Sequence, residues 1–280
     1  MSVSGKARVA GVLGWPVGHS KSPRLHGYWL ATHGIDGAYV PLPTPPATLA
    51  AAVRGLSALG FVGANVTVPH KETMLGLIDE ITPTASRIGA INTLFIGNDG
   101  KIRGDNTDAF GFIQNLRATV PRFAVAAGPA VVLGAGGAAR AVCVALADAG
   151  CKRIVLLNRT EQRARDVAKA AGSAVEPGPW SGRAAALDGA ALLVNTTSLG
   201  MTGQPALDLA LYRLPKTAVV YDLVYAPLET PLLSAARGRG HRTVDGIGML
   251  LYQAQAGFAG WFGVKPEVTA ELRAHVLAAT

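Results

Sequence analysis

Apolar residues recur along the chain in short runs that stop at glycine, proline or a polar turn, and the runs alternate between two periods. "ARVAGVLG" (7–14), "GAYVPLP" (37–43) and "FVGANVTVP" (61–69) have the length and composition of strands. Helical spacing fills the gaps. "SPRLHGYWLATHG" predicts a helix in which Ser22 caps, Pro23 takes the first helical position and Gly34 marks the end. "PATLAAAVRGLSALG" predicts a second helix ending at Gly60, and "KETMLGLIDEI" a third. "AINTLFIGNDGKIRGDNTD" reads as a hairpin turning at Asn98-Asp99-Gly100.

The second half repeats strand and helix more regularly. "AVVLGAGGAARAVCVALADAG" and "RIVLLNRTEQRARDVAKAAG" each read as strand, turn, helix. "ALLVNTTSLGM" and "AVVYDLVYAPLETP" add two strands with polar ends. "RTVDGIGMLLYQAQAGFAGWFG" predicts a short strand and a long apolar helix, and "PEVTAELRAHVLAA" a last helix. The pattern predicts an α/β protein of two domains. An N-terminal α/β domain takes 1–110, and a second, Rossmann-like, doubly wound domain takes 111–246. Patterning alone leaves open whether 247–280 returns to pack on the first domain.

Composition narrows the function classes. With 280 residues, 49% hydrophobic and 16% charged, the chain suits packed globular domains. The net charge of +8 admits an anionic partner, yet "RTEQRAR" and "RGRGHR" are local turn or helix surfaces with no interleaved aromatics. Small anionic ligands therefore fit better than nucleic acid. The start of the chain has too short an apolar stretch for a signal peptide, and 123–139 is broken by Pro and Gly, so no membrane span is expected. Cys143 and Cys151 make neither a disulfide framework nor a metal pattern, and read as buried thiols of a cytoplasmic protein. His19, His26 and His33 recur every seventh residue, but no ligand set accompanies them. They read as solvated or capping histidines, and no metal is expected.

Gly134-Ala135-Gly136-Gly137-Ala138-Ala139 matches G-x-G-x-x-A between a predicted strand and helix. The first glycine allows a tight turn, the second lets the backbone approach a pyrophosphate, and Ala139 keeps helix and strand close. Packing alone is the other reading of such a turn. The next strand ends in Asn158-Arg159-Thr160, where an acid would accept from a ribose hydroxyl. Arginine instead offers a fork of donors to a 2′-phosphate, with Asn158, Thr160 and Arg163 nearby. The unit is therefore expected to prefer NADP, unless Arg159 is only a solvated surface residue.

Polar residues cluster at three places in the first half. Ser20 and Ser22 precede a helix, where hydroxyls and free N–H groups can hold a carboxylate. "NVTVPHKE" places Asn65, Thr67 and Lys71 at a strand end, and "GDNTD" places Asp105, Asn106 and Asp108 at another. A reductase needs a proton donor, and a lysine held by an aspartate can serve. Spacing alone does not bring Lys71 to Asp108.

"GHSKSP", "GANVTVPHKE", "IGAINTL", "GDNTD", "GAGGAAR", "NRT", "DLVYAP" and "DGIGMLLYQA" occur here in this order. In that set the chain resembles the shikimate dehydrogenases over nearly its whole length. The resemblance implies reversible NADPH-dependent reduction of 3-dehydroshikimate to shikimate, within aromatic amino-acid (chorismate) biosynthesis. It implies that Lys71 is the catalytic acid/base, paired with Asp108. Ser20 and Ser22 would bind the substrate carboxylate, and Thr67, Asn92, Asp108 and Gln253 its hydroxyls, with Tyr225 nearby. Gly134, Ala135, Gly136, Gly137 and Ala138 would bind pyrophosphate, and Asn158, Arg159, Thr160 and Arg163 the 2′-phosphate. Leu223, Gly246 and Met249 would lie by the nicotinamide. It also implies that the C-terminal helices return to the first domain, in a monomer or homodimer. Ala109 and Leu199 depart from the residues many relatives carry. Two alternatives remain: a quinate/shikimate dehydrogenase of broader substrate and cofactor range, and a nucleotide-binding regulatory module without turnover.

Overall fold

The computed structural model describes residues 3–278. The chain divides into two compact units, one reaching Thr107 and resuming at Leu250, the other running Asp108–Met249.

The first unit is built on a mixed sheet of β1 (Arg8–Gly14), β2 (Gly37–Pro43), β3 (Phe61–Val66), β4 (Glu80–Ile81), β5 (Thr93–Ile96) and β6 (Ile102–Asp105). Their order is β2-β1-β3-β5-β6-β4. β1 runs parallel to β2 and β3, and the β5–β6 hairpin turns as its Asn98-Asp99-Gly100 sequence predicts, pairing antiparallel. Helices α1 (Ser22–Thr32), α2 (Leu49–Ala58) and α3 (Pro83–Ile88) connect the strands. Leu13, Val53, Leu56, Val66, Met74, Ile91 and Leu94 form one core cluster. A fully buried side chain of this kind contributes roughly 1.5–3 kcal/mol.

Three local expectations need correction. The "KETMLGLIDEI" segment is not an α-helix: a 3-10 turn spans Thr73–Gly76 and β4 follows. Gly76 weakens the helix, and Asp79 then pairs with Ile102 through both its backbone N–H (3.0 Å) and its carboxylate (2.8 Å). That pairing draws the chain onto β6. Ser22 is the first residue of α1, not its cap. Lys21 holds the cap position without a side-chain bond, while the Ser22 N–H donates to Ser20 Oγ at 3.3 Å. His26 is neither solvated nor capping. It is 0% exposed, stacks on Tyr39 at 4.0 Å, and is boxed by Trp29, Phe258 and Trp261. Burial pushes its pKa down to about 3. His19 and His33 are exposed, and His33 caps α1 at its C-terminal end.

The return of the chain after Leu250 brings the end of α8 (Ile247–Phe262) and α9 (Ala270–Leu277) into the first unit. Trp261 donates its indole N–H to the Leu94 carbonyl at 2.8 Å. A Cβ at Gly63 would collide with that indole, so β3 carries glycine where the tryptophan presses on it. Lys21 and Arg24 donate to the Val276 and His275 carbonyls, satisfying the last turn of α9.

The second unit is an all-parallel sheet of β7 (Ala130–Leu133), β8 (Ile154–Asn158), β9 (Val175–Pro179), β10 (Leu192–Asn195), β11 (Val219–Asp222) and β12 (Arg242–Val244). Its order, β12-β11-β10-β7-β8-β9, is the doubly wound arrangement that reverses direction between β7 and β10. Helices α4 (Asp108–Thr119), α5 (Gly137–Asp148), α6 (Glu161–Ala171) and α7 (Pro231–Gly238) complete it. Strands buried on both faces need continuous apolar runs, and β7, β10 and β11 are buried at every position. Cys143 and Cys151 are free and buried, as expected.

Candidate active site

Each unit presents a set of polar residues on the segments that flank its strands. In the first unit, Asn92 precedes β5 and is 2% exposed. Its Nδ2 donates to Thr107 Oγ1 (3.1 Å) and Gln253 Oε1 (3.2 Å), and its Oδ1 accepts the Thr107 N–H at 2.8 Å. Thus Asn92 and Gln253, 161 residues apart, are neighbours. The Asn92 carbonyl accepts from the Val66 N–H and from Asn65 Nδ2. Asn65 Oδ1 in turn accepts the Tyr39 hydroxyl at 2.6 Å. A continuous polar chain therefore runs from Tyr39 through Asn65 and Asn92 to Gln253.

Thr67 follows β3, with its N–H on the Leu13 carbonyl at 2.9 Å. Lys71, half-buried, sits on the turn after it, and the Lys71 carbonyl accepts the Ile91 N–H at 2.8 Å. The turn carrying the lysine is thereby tied to the residue beside Asn92. Ser20 and Ser22 are both shielded, and the Ser20 hydroxyl is oriented by the Ser22 N–H. The result is an array of hydroxyl, amide and ammonium groups suited to a polyhydroxylated anion. Asp108 belongs to the other unit, where it opens α4 at 5% exposure. A carboxylate in that first turn is favoured by the helix dipole.

In the second unit, Gly134 ends β7 with φ +104°, a left-handed value that glycine tolerates. A Cβ there would meet Thr196 Oγ1 at 2.7 Å. Thr196 comes from the β10 end and donates to the Leu133 carbonyl, closing the turn at the switch point of the sheet. Gly136 caps α5 without a side-chain bond, and a Cβ at Gly136 would meet nothing within 4 Å. A helix start leaves its first N–H groups without intrahelical partners, and the backbone at Gly136 is uncrowded, while Ala139 is fully buried. That donor set fits a pyrophosphate.

Asn158 ends β8 and donates to the Thr160 carbonyl at 2.8 Å, shaping the turn. The exposed Arg159 guanidinium makes no hydrogen bond or ion pair among the described residues. Its donors suit a phosphate monoester at this end of the cradle, with Arg163 one turn along α6. Leu223 lies directly after β11, and Gly246 presses on it so closely that a Cβ at Gly246 would collide with the Leu223 carbonyl. Met249, 8% exposed, is two residues into the following helix. Burial raises the Tyr225 phenol above its ordinary range, which keeps it protonated.

Sequence reasoning missed two parts of this region. Tyr39 sits in a strand whose pattern shows nothing polar, and its role appears only through Asn65. The second is the Asp222 carboxylate, 0% exposed, which accepts from Asn195 Nδ2 (2.9 Å), the Val224 N–H (3.1 Å) and Thr230 Oγ1 (2.7 Å). Burial pushes its pKa up to about 6 against those donors. The three bonds hold the loop that carries Leu223 and Tyr225. Among the described residues no group of acidic, histidine and cysteine side chains could hold a metal, and no helix is long and apolar enough to cross a membrane.

Comparison with known proteins agrees with this anatomy. Residues 12–94 match the family model described as shikimate dehydrogenase substrate binding domain, and 120–199 that of shikimate / quinate 5-dehydrogenase. A shikimate dehydrogenase (NADP(+)) of Rhodospirillum rubrum is 60% identical over 98% of this chain and 99% of its own. Shikimate 5-dehydrogenase of Thermus thermophilus, solved with NADP(H) and shikimate, is 36% identical with a TM-score of 0.85, covering 96% of this chain and 98% of that one. A quinate dehydrogenase of Corynebacterium glutamicum with NAD is 30% identical with a TM-score of 0.90, covering 97% and 99%.

Proposed function

The chain belongs to the shikimate dehydrogenase family, and from that premise we propose that it interconverts 3-dehydroshikimate and shikimate with NADP(H). The observation that carries the cofactor choice is the unengaged Arg159 fork beside the α5 cradle.

When bound, NADPH supplies the hydride that reduces the substrate carbonyl. The chain's own groups do the rest. Ser20 and Ser22 hold the substrate carboxylate by hydroxyl donors. Thr67, Asn92 and Gln253 hold its hydroxyls, and the Asn92–Gln253 bond keeps those two amides from turning away. Lys71 is the acid/base group: in reduction its ammonium gives a proton to the carbonyl oxygen, and in oxidation the neutral amine takes the hydroxyl proton. Asp108 is the other catalytic residue of the pair, and its carboxylate accepts from a substrate hydroxyl. Tyr225, a protonated phenol, offers a neutral donor. Gly134 to Ala138 bind pyrophosphate, Asn158 to Arg163 bind the 2′-phosphate, and Leu223, Gly246 and Met249 form the nicotinamide side. The enzyme serves chorismate formation in the cytoplasm, as a monomer or homodimer.

The test is turnover against binding. Supplied with 3-dehydroshikimate, the protein is expected to oxidise NADPH continuously. Quenching of NADPH fluorescence without oxidation would make it a binding module and overturn the reading.

A further inference from the structure

The family roles leave one buried amide unexplained. Asn115 stands in α4, seven residues beyond Asp108, and so on the same helix face. It is 4% exposed. Both protons of its Nδ2 are committed: one goes to the Tyr221 hydroxyl at 2.8 Å, the other to the Asp245 carbonyl at 2.8 Å. Thr119, one turn further on, donates to its Oδ1 at 3.3 Å. Tyr221 and Asp245 stand at the ends of the paired strands β11 and β12. Two residues beyond Tyr221 comes Leu223, and directly after Asp245 comes Gly246. The Tyr221 ring is itself stacked on Phe112 of α4, with centroids 4.8 Å apart. Gly248 completes the arrangement: a Cβ there would collide with the Asn115 carboxamide, so the start of α8 is packed directly on it.

We propose that Asn115 is a positioning residue for hydride transfer. It locks the helix that carries Asp108 to the strand ends that carry Leu223 and Gly246. This rests on the reading above, in which those two residues flank the nicotinamide. A carboxamide is suited to the place because a single planar group supplies two donors to acceptors on different strands. An apolar side chain of the same size takes the Asn115 donors away from a buried tyrosine oxygen and a part-buried carbonyl, and both strand ends are then free to shift. Hydride transfer is sensitive to such shifts, because misplacement by about 1 Å costs on the order of 100-fold in rate.

The test uses Asn115→Leu and, independently, Gly248→Ala, which pushes on the same carboxamide from the other side. Three quantities are measured: kcat and KM with shikimate and NADP+; the primary isotope effect with shikimate deuterated at the oxidised carbon; and amide hydrogen exchange over 245–249 in the protein alone. For both variants kcat is expected to fall about ten- to a hundredfold while KM for NADP+ moves less than about threefold. The isotope effect should rise as hydride transfer becomes limiting, and exchange over 245–249 should speed up. Unchanged kcat, isotope effect and exchange in a folded variant would overturn the proposal. So would a loss carried entirely by KM for NADP+, which would make Asn115 a cofactor-affinity residue. A wild-type chain inactive with shikimate would instead remove the underlying reading, and this inference with it.

Discussion

The Tyr39 hydroxyl donates to Asn65 Oδ1 at 2.6 Å, inside a core where Tyr39 is only 7% exposed. Replacing the phenol by phenyl strips that buried acceptor of its donor. Tyr39 therefore orients the amide that in turn bonds the Asn92 carbonyl. In Tyr39→Phe, KM for shikimate is expected to rise roughly tenfold, with KM for NADP+ unchanged. Stability should drop by about 1–3 kcal/mol, the cost of leaving a buried acceptor unpaired. Steady-state kinetics and urea denaturation check both parts.

Arg159 offers its guanidinium at the end of β8 with no other partner among the described residues. A charge-assisted contact is worth about 1.5–3 kcal/mol. Arg159→Ala should raise KM for NADP+ by about ten- to a hundredfold and leave KM for NAD+ nearly unmoved. Equal effects on the two cofactors would remove the 2′-phosphate role.

Lys71 carries the proton in the proposed reaction. Lys71→Ala is expected to lower kcat by about 10²–10⁴-fold, the usual contribution of a general acid/base, with circular dichroism unchanged. A variant with wild-type kcat would show that the proton comes from elsewhere.

His26 makes the first unit sensitive to acid. Its folded pKa of about 3 lies below its ordinary 6.5, so the unfolded chain binds a proton that the folded chain refuses. Stability is then full above about pH 6.5 and is lost as pH falls, by up to about 1.4 kcal/mol per pH unit. Asp222 has the opposite sign. Its folded pKa of about 6 is above the ordinary 3.8, so its contribution to stability is full at low pH and declines as pH rises through that window. His26→Leu should therefore lose less Tm between pH 7 and pH 5 than the parent, although the parent is the better packed at pH 8. Calorimetry across that range decides it, and parallel pH profiles would show that His26 is not the source.

Most of the framework was legible because a buried parallel strand must be apolar throughout and its helix must be amphipathic. The glycine cradle, β7, α5, β8 and α6 follow directly from that rule. β9 escaped notice because it is an edge strand, "VEPGP", whose prolines are tolerated only where one side lacks a partner. α3 and α7 carried readable starts, Thr82-Pro83 and Thr230-Pro231, and both threonines do cap. Their brevity hid them. The segment after Lys71 misled because its apolar spacing suits a helix, whereas long-range pairing of Asp79 with Ile102 decided its structure. The histidines misled for a related reason: a period of seven is visible in sequence, but the aromatic box around His26 draws on residues 39, 258 and 261. In the site, the glycines and Arg159 announced themselves by local motif. Tyr39, Asn115 and Asp222 did not, because each acts through partners on other elements.

The most direct measurement of the central claim is a set of initial rates in which shikimate and quinate are each paired with NADP+ and NAD+. Fast turnover is expected for shikimate with NADP+, with rates lower by at least about tenfold when NAD+ replaces NADP+, the low end of a charge-assisted contact, and slower turnover with quinate. Comparable turnover with NAD+ would contradict the cofactor specificity assigned to Arg159, comparable turnover with quinate would contradict the proposed substrate, and absence of turnover in every pair would contradict the proposed reaction itself.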